Sequence, residues 1–300
     1  DSADQLALIK RTLKSLGADE EKFAPRQVQW FINNAKDEGL RAAEVEAHDD
    51  FTRKMVEFYL SYEYQCNKEG VVDFAELLLR SYELLARNEI VREHYRSRFI
   101  HILVDEFQDT SRLQYKWLRL LAGSRTAVFV VGDDDQSIYA FRGANTGNMK
   151  EFERDFHISK IIKLEQYYRS HGNILRAANT LIRNNSSRLG KNLWTSEGQG
   201  ELIRVYNALT DIDEAAFVVD EVKSLHAEGI ALSQMALLYR SNAQSRVLEH
   251  ALFNAALAYR VYGGMRFFER QEIKHALAYL RLIANPNDYS ALLRIVNFAA

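Results

Sequence analysis

The sequence has few of the residues that constrain a fold covalently or conformationally. Its 300 residues include one cysteine, Cys66, two prolines and 14 glycines. A single cysteine excludes a disulfide framework and is typical of a reducing cytoplasm. No apolar run is long enough to cross a bilayer, and no signal-peptide pattern opens the chain. We therefore expect a cytoplasmic globular protein that does not enter a membrane.

An excess of charge of one sign is also missing, since the formal net charge is −2. The sequence therefore has no global basic signature for nucleic acid. Residues 160–194, however, carry seven basic residues and one acidic residue. Such a stripe suits a groove that follows phosphates, and it equally suits a solvated helix face. Charge alone does not decide between these two interpretations.

The chain is long enough for two or more domains, and 47% of its residues are hydrophobic. It opens directly on a capped amphipathic helix at DSADQLALIK and ends shortly after the apolar stretch 292–296, with no closing signal. We therefore expect both ends to be cuts inside a longer protein.

The spacing of apolar residues predicts helices over almost all of residues 1–95. Near residue 100 the pattern changes to short apolar runs at 100–104 and 127–131, with a helical stretch at 114–121 between them. Strand, helix and strand in this order are typical of a parallel α/β sheet with buried strands.

The same criteria predict further α/β units toward the end of the chain. Strands are predicted at 161–164, 202–205, 235–239 and 259–262, and helices at 173–184, 213–226, 245–255 and 269–282.

Two acids, Asp105 and Glu106, follow the first predicted strand in the motif VDEFQDT. Open α/β sheets bind ligands at the carboxyl ends of their strands. One carboxylate there can hold Mg²⁺, and the second can accept a proton from an attacking water. The alternative is that the two acids only cap the strand and begin a turn.

The second predicted strand ends in the motif GDDDQSIYAFRGA. Three consecutive acids repel one another unless they are solvated, paired or near a cation. Gln136 offers an amide for a phosphate oxygen or a water, and Tyr139, Phe141 and Arg142 could stack on bases of a single strand. The alternative is that the two aromatic side chains belong to the core.

The motif LEQYYRS contains a third candidate group. Arg169, supplied from a neighbouring domain, could stabilise charge on a transferred phosphoryl group, and Tyr168 could stack on a nucleobase. Composition alone favours a surface arginine and a packed tyrosine.

Together, VDEFQDT, GDDDQSIYAFRGA, LEQYYRS, YRSNAQSR and YGGMRFFERQEIK resemble the ordered motifs of superfamily 1 helicases of the UvrD/Rep/PcrA type. The resemblance runs through essentially the whole chain. It implies RecA-like P-loop NTPase domains, each a parallel sheet flanked by helices and carrying a helical insertion.

The resemblance also implies the domain limits. Residues 1–95 would be the helical insertion of the first motor domain, and 96–165 the C-terminal part of that domain. Residues 166–283 would begin the second motor domain, and 284–300 its own insertion.

The roles of individual residues follow from the same resemblance. Asp105 would bind Mg²⁺, Glu106 would be the general base, and Gln136 would sense the γ-phosphate of ATP. Tyr168 would stack on adenine, and Arg169 would reach the γ-phosphate. Three further residues would contact single-stranded DNA: Tyr139, Phe141 and Arg142. The parent would be an ATP-dependent 3′ to 5′ DNA translocase and helicase acting at single-strand/duplex junctions in repair or replication, with repair proteins as possible partners.

Three features depart from the family pattern. Phe141 stands where tryptophan is most common, and Tyr167 stands where asparagine is usual. No G-x-x-x-x-G-K-[ST] string is present, so the phosphate-binding loop is missing. We therefore expect the chain by itself to bind ATP poorly and not to unwind DNA.

Three other classes compete with a helicase fragment. A catalytically inactive DNA-binding or partner-binding module would not need Asp105, Glu106, Gln136 and Arg169 together. The helicase part of a helicase–nuclease fits the acidic motifs, but YRSNAQSRVLEHAL favours the stand-alone type. A metal-dependent nuclease built on the acids is least favoured, because its carboxylates must converge on two ions.

Overall fold

The computed structural model describes residues 1–139, 143–145, 147–158, 160–185, 188, 190–262 and 271–299, the side chains of Ser290 and Ala299 aside. The chain divides into two compact units. The first contains Asp1–Gly198 and Asn285–Ser290, and the second contains Gln199–Ala284 and Ala291–Ala300.

Five helices occupy the beginning of the first unit, which we call the helical region (residues 1–98). They are α1 (Ser2–Ser15), α2 (Pro25–Asp37), α3 (Asp50–Glu69), α4 (Phe74–Arg87) and α5 (Glu89–Arg98). Side chains of Asp1, Asp49, Asp73 and Asn88 accept backbone hydrogen bonds and thereby fix four helix starts. The predicted helical stretch is confirmed.

The first three helices bury one apolar core. It is built around Ile9, Leu13, Ile32 and Tyr59, each with at most 1% of its surface exposed. Tyr59 also donates a hydrogen bond of 3.1 Å from its hydroxyl to the carbonyl of Leu40. Burial of large side chains at helical spacing is what holds this region together.

Charged side chains are buried beside that core. Lys36 is 2% exposed, and its ammonium lies 2.7 Å from Asp73 and 2.9 Å from Glu76. Arg41 adds a contact of 2.8 Å to Glu76 and one of 2.7 Å to Glu83. Because α2 and α4 supply opposite charges, the network joins these helices where a buried charge would otherwise be costly.

Two parallel strands follow the helical region: β1 (His101–Val104) and β2 (Ala127–Val130). They pair in register, with His101 opposite Ala127 and Val104 opposite Val130. Helix α6 (Arg112–Leu121) connects them, as the sequence predicts. The α/β fold class is confirmed by this parallel pair.

One face of the strand pair is covered and the other is not, among the residues that the structure describes. Ile102 and Val104 pack against Phe107, Tyr115 of α6 and Phe152 of α7 (Gly147–Asp155). The alternate residues point away, and Leu103 is 77% exposed. The prediction of buried strands is therefore wrong for this second face.

The remaining helices are α8 (Gly172–Ile182), α9 (Asp211–Ala227), α10 (Asn242–Asn254), α11 (Gln271–Ala284) and α12 (Tyr289–Ala299). The first four confirm the predicted helices, although residues 269 and 270 of the last prediction lie outside the described part of the chain. No helix in the described ranges is both long enough and apolar enough to span a membrane.

Four predicted strands were wrong: residues 161–164, 202–205, 235–239 and 259–262 are neither strand nor helix. Their apolar composition suggested β structure, but a strand also needs a hydrogen-bonding neighbour. In the described structure these segments have no strand beside them, and Leu164, Val205 and Leu238 are largely exposed.

Candidate functional site

The two strands bring both acidic motifs to one place. After β1 ends, the amide of Phe107 donates to the carbonyl of Val131 at 3.0 Å. The amide of Val131 in turn donates to the carbonyl of Val104 at 2.8 Å. The segments beginning at Asp105 and at Gly132 therefore leave the sheet side by side. We call Asp105, Glu106, Gln108, Asp133 and Gln136 the strand-end cluster.

Glu106 occupies an unusual backbone conformation at the end of β1. Its φ is +49°, in the left-handed region that non-glycine residues rarely adopt. The Oδ1 atom of Asp105 accepts the amide of Glu106 at 2.9 Å and so supports the sharp turn. The turn leaves Asp105 and Glu106 exposed, while the next residue, Phe107, is completely buried and anchors the segment. Strain of this kind is concentrated at functional sites.

Gln108 connects the two strand ends through its side chain. It is 1% exposed. Its Nε2 donates to Oε2 of Glu106 at 2.7 Å, and its Oε1 accepts the amide of Asp133 at 2.9 Å. A Cβ atom on Gly132 would lie 3.0 Å from Oε1 of Gln108, a tight contact that glycine avoids. Gln108 lies within the motif VDEFQDT, but the sequence alone indicated no role for this residue.

Asp133 orients Gln136 and is paired with a lysine that lies far away in the sequence. Its Oδ2 accepts Nε2 of Gln136 at 2.7 Å, and its Oδ1 accepts the amide of Asp135 at 3.1 Å. The ammonium of Lys191 also pairs with this carboxylate. Burial opposes ionisation, but Lys191 and Gln136 outweigh it and hold the pKa of Asp133 below its ordinary value.

Arg188 neutralises a second member of the acidic triplet, residues 133–135. Its Nε lies 2.8 Å from Oδ1 of Asp135, and both side chains are mostly buried. The hydrogen bond with Asp135 raises the pKa of Arg188 above its ordinary value. The carboxylates of the triplet lie within 4.8 Å of one another, a spacing open to a metal ion. Two of them are paired with cations, so repulsion in the triplet is relieved by ion pairs.

These pairs also bear on the basic stripe of residues 160–194. Two of its seven basic residues, Arg188 and Lys191, serve the acidic triplet. Lys163 donates to the carbonyl of Gly190 at 2.6 Å, near the same two side chains. Some basic residues of the stripe therefore pair with acids of the same chain. Composition suggested a phosphate-binding groove or a solvated helix face, and this role is neither of the two.

The loop that carries the aromatic candidates begins beside the acidic triplet. Tyr139 is half-buried, and its carbonyl accepts the amide of Ala144 at 3.2 Å. Phe141 and Arg142 lie outside the described residues. Beyond them the chain is fixed by Asn148, which is 1% exposed and donates to the carbonyl of Thr110 at 2.9 Å.

The same loop passes close to the end of α2. A Cβ atom on Gly143 would lie 3.1 Å from Oδ2 of Asp37, and the φ of Gly143 is +82°. Burial, together with the charges of Glu38 and Asp73, raises the pKa of Asp37 to about 6. No sequence pattern pointed to Asp37, because two of its neighbours in space, Asp73 and Gly143, lie far from it along the chain.

Tyr168 and Arg169 lie on a segment held by a short parallel bridge. The amide of Tyr167 donates to the carbonyl of Trp194 at 2.7 Å. Tyr168 is 75% exposed and donates from its hydroxyl to Oε1 of Gln166 at 3.0 Å, so the expectation of a packed tyrosine was wrong. Arg169 is exposed. Among the residues that the structure describes, no hydrogen bond or ion pair joins Tyr168 or Arg169 to the strand-end cluster.

Comparisons with known proteins agree over nearly the whole chain. Residues 1–157 match the family model of the UvrD/REP helicase N-terminal domain, and residues 162–300 match the UvrD-like helicase C-terminal domain. DNA helicase II of Escherichia coli (strain K12) is 54% identical over 298 residues, and that of Haemophilus influenzae is 53% identical over the same length. ATP-dependent DNA helicase PcrA of Staphylococcus aureus (strain NCTC 8325 / PS 47) is 43% identical over 299 residues.

Each of these alignments covers 99% of this chain and 41% of the relative. The chain thus spans about two fifths of the length of the curated proteins that it matches. On the evidence of the two family models, the chain belongs to the UvrD/REP helicase family.

Proposed function

We propose that the full-length protein is an ATP-dependent DNA helicase that moves 3′ to 5′ along one strand and opens duplex at single-strand junctions. The observation that carries this proposal is the strand-end cluster. Two parallel strands end together with a carboxylate pair on one and an acid and a glutamine on the other, which is where α/β sheets bind nucleotides. The similarity to DNA helicase II and to ATP-dependent DNA helicase PcrA supports the same activity.

Asp105 is the residue that we assign to Mg²⁺. Its carboxylate is exposed at the carboxyl end of β1 and offers hard oxygen ligands, so the residues present fit this ion. When bound, Mg²⁺ would neutralise charge on the nucleotide phosphates. The acidic triplet fits less well, because Lys191 and Arg188 already pair with two of its members.

Glu106 is the general base in this proposal. Its exposed carboxylate accepts a hydrogen bond from Gln108 and can take a proton from the attacking water. Gln136 contacts the γ-phosphate or that water through an amide whose orientation Asp133 fixes. Arg169 stabilises the developing charge, and the exposed ring of Tyr168 stacks on adenine.

The DNA contacts are assigned to the loop after the acidic triplet. Tyr139, Phe141 and Arg142 would stack on and bind a single strand. The action at single-strand/duplex junctions, in repair or replication, is part of the same proposal. We further propose RecA-like domains divided at residues 95, 165 and 283, as the motif order implies. ATP binding between them would drive each step.

The decisive experiment is ATP hydrolysis by the full-length protein, with and without single-stranded DNA, beside its Glu106→Gln variant. We expect strong stimulation by DNA, and a loss of about 10²–10⁴-fold in kcat in the variant, the usual contribution of a general base. Binding of ATP and DNA should be retained, because glutamine keeps the size of the side chain.

Glu57→Gln is the matched control, since Glu57 is half exposed on α3, outside the cluster. It should leave hydrolysis unchanged. Absence of DNA-stimulated hydrolysis in the unsubstituted protein would favour an inactive binding module instead. Loss of ATP binding in Glu106→Gln would show that Glu106 holds the nucleotide and is not the base.

A further inference from the structure

Gln108 is a buried polar side chain that the proposed chemistry does not use directly. A primary amide loses hydration when it is buried, and this is offset only if its donor and acceptor are both satisfied. Gln108 meets that condition with two groups of the strand-end cluster, the carboxylate of Glu106 and the amide of Asp133. An apolar residue of similar size would fill the same space without that requirement.

Packing alone therefore does not explain a glutamine at this position. Phe107, the preceding residue, is fully buried and already anchors the segment against Tyr115 and Phe152. Gly132 lacks the Cβ that would press on Oε1 of Gln108. The space is thus shaped around the amide, and both ends of the amide are directed at the two strand ends.

Glu106 needs such a partner. Its side chain is exposed and has three rotatable bonds, so solvent alone would leave its carboxylate in several rotamers. The contact of 2.7 Å from Nε2 of Gln108 is a hydrogen bond to an ionised acceptor, the stronger kind, and selects one of them. Because Oε1 is held by the amide of Asp133, the selected position is set relative to β2.

We propose that Gln108 is a positioning residue for ATP hydrolysis: it fixes the carboxylate of Glu106 relative to the segment that carries Asp133 and Gln136. Glu106 and Gln136 would then be held in a fixed position relative to each other, although they follow different strands. This inference rests on the proposed function, because it requires Glu106 to act on a water.

The test uses two variants of the full-length protein. Gln108→Met keeps the volume and loses both hydrogen bonds, whereas Gln108→Glu keeps the acceptor for Asp133 and loses the donor to Glu106. We expect kcat of DNA-stimulated hydrolysis to fall about tenfold to a hundredfold in both, the range typical of a misplaced catalytic group. KM for ATP should change less than threefold, on the order of a small binding effect.

Gln5→Met provides the matched control. Gln5 is also buried, at 8% exposed, and it exchanges hydrogen bonds with Asn33 and Gln29 in the helical region. It should lower the melting temperature without lowering kcat at a temperature where the protein stays folded. A purely structural role for Gln108 would give the same result.

A double-mutant cycle tests whether Gln108 acts through Glu106. Single-turnover hydrolysis by Glu106→Gln should not slow further when Gln108→Met is added. If the two residues acted independently, the two losses of rate would multiply. Normal kcat in Gln108→Glu, or multiplied losses in the double variant, would overturn the assignment. If the unsubstituted protein hydrolyses ATP and Glu106→Gln does so about 10²–10⁴-fold more slowly, such a result removes Gln108 alone. Without any hydrolysis, the proposed function and this role fail together.

Discussion

The helical region and the strand-end cluster both contain neighbouring carboxylates, but these carboxylates differ in burial and in their partners. In the helical region Asp73 and Glu76 are buried and lie 2.7 Å and 2.9 Å from Lys36. At the strand ends Asp105 and Glu106 are exposed, and Glu106 has a strained backbone. A carboxylate enclosed by cations holds helices together, whereas an exposed one at a strand terminus is open to a ligand.

The pKa of Glu76 illustrates the first kind of site. Burial alone would raise it, but hydrogen bonds from Lys36, Arg80 and Arg41 lower the pKa to about 2. A carboxyl with a depressed folded pKa stabilises the protein above its unfolded pKa, and that contribution is lost as pH falls through the folded value. The network should therefore persist through the neutral range.

Lys36→Met should give the largest change in stability. It leaves Asp73 and Glu76 buried with one cation fewer, and breaking a buried pair in this way costs about 3–5 kcal/mol. The free energy of unfolding from urea titration, followed by circular dichroism, measures the effect. A loss below about 1 kcal/mol would mean that the network is hydrated and that the contrast between the two regions is weaker.

Phe141→Ala should act on binding and leave stability largely unchanged. Loss of one stacked base weakens single-strand binding by about 1–3 kcal/mol. Titration of a labelled oligonucleotide into the full-length protein gives the affinity. Phe253→Ala, at a ring 74% exposed on α10, is the control and should leave that affinity unchanged. Equal affinity in Phe141→Ala, with reduced stability, would assign Phe141 to a core.

Asp37→Asn should stabilise the protein at pH 8 by about 1–2 kcal/mol, a value reduced for partial exposure. The folded pKa of about 6 lies above the ordinary value of 3.8, so ionised Asp37 opposes folding. Stability of the unsubstituted protein falls as pH rises between these two values. The advantage of the variant should therefore disappear below about pH 4. Urea midpoints at several pH values test this, with Asp220→Asn at an exposed position of α9 as the control.

Lys54→Met should have the smallest effect. Lys54 pairs with Glu57 at 2.7 Å, but the two side chains are 53% and 49% exposed. Exposed pairs contribute about 0–1 kcal/mol, so we expect the same urea titration to detect almost no change. A loss comparable to that of Lys36→Met would show that burial does not separate the two kinds of ion pair.

Local patterns predicted the helices and the first two strands well. Apolar spacing and capping residues act within a few positions of the chain, so α1, α6 and α9 could be located from sequence. The strands expected at 161–164 and 202–205 were wrong for the complementary reason. A strand depends on a neighbour elsewhere in the chain, and an apolar run carries no information about that neighbour.

The acids of the candidate site could be proposed from the sequence, whereas the residues that hold these acids could not. Asp105, Glu106 and Gln136 stand out because they follow strand-like runs. Gln108 does not, since a buried amide is recognised only when both of its partners are located. The pairing of Lys191 with Asp133 joins positions more than 50 residues apart, which no local pattern reports.

The in-register pairing of β1 with β2 has a consequence for which insertions and deletions the chain tolerates. A single residue added within β2 would shift Gly132 by one position, about 3.3 Å, and turn every later side chain to the opposite face. The amide of Asp133 would then lose its hydrogen bond to Oε1 of Gln108. Added residues between α6 and β2, at positions 122–126, would only lengthen a connection. Length variation among natural or engineered versions of this chain should therefore collect in that connection and spare the four-residue strands.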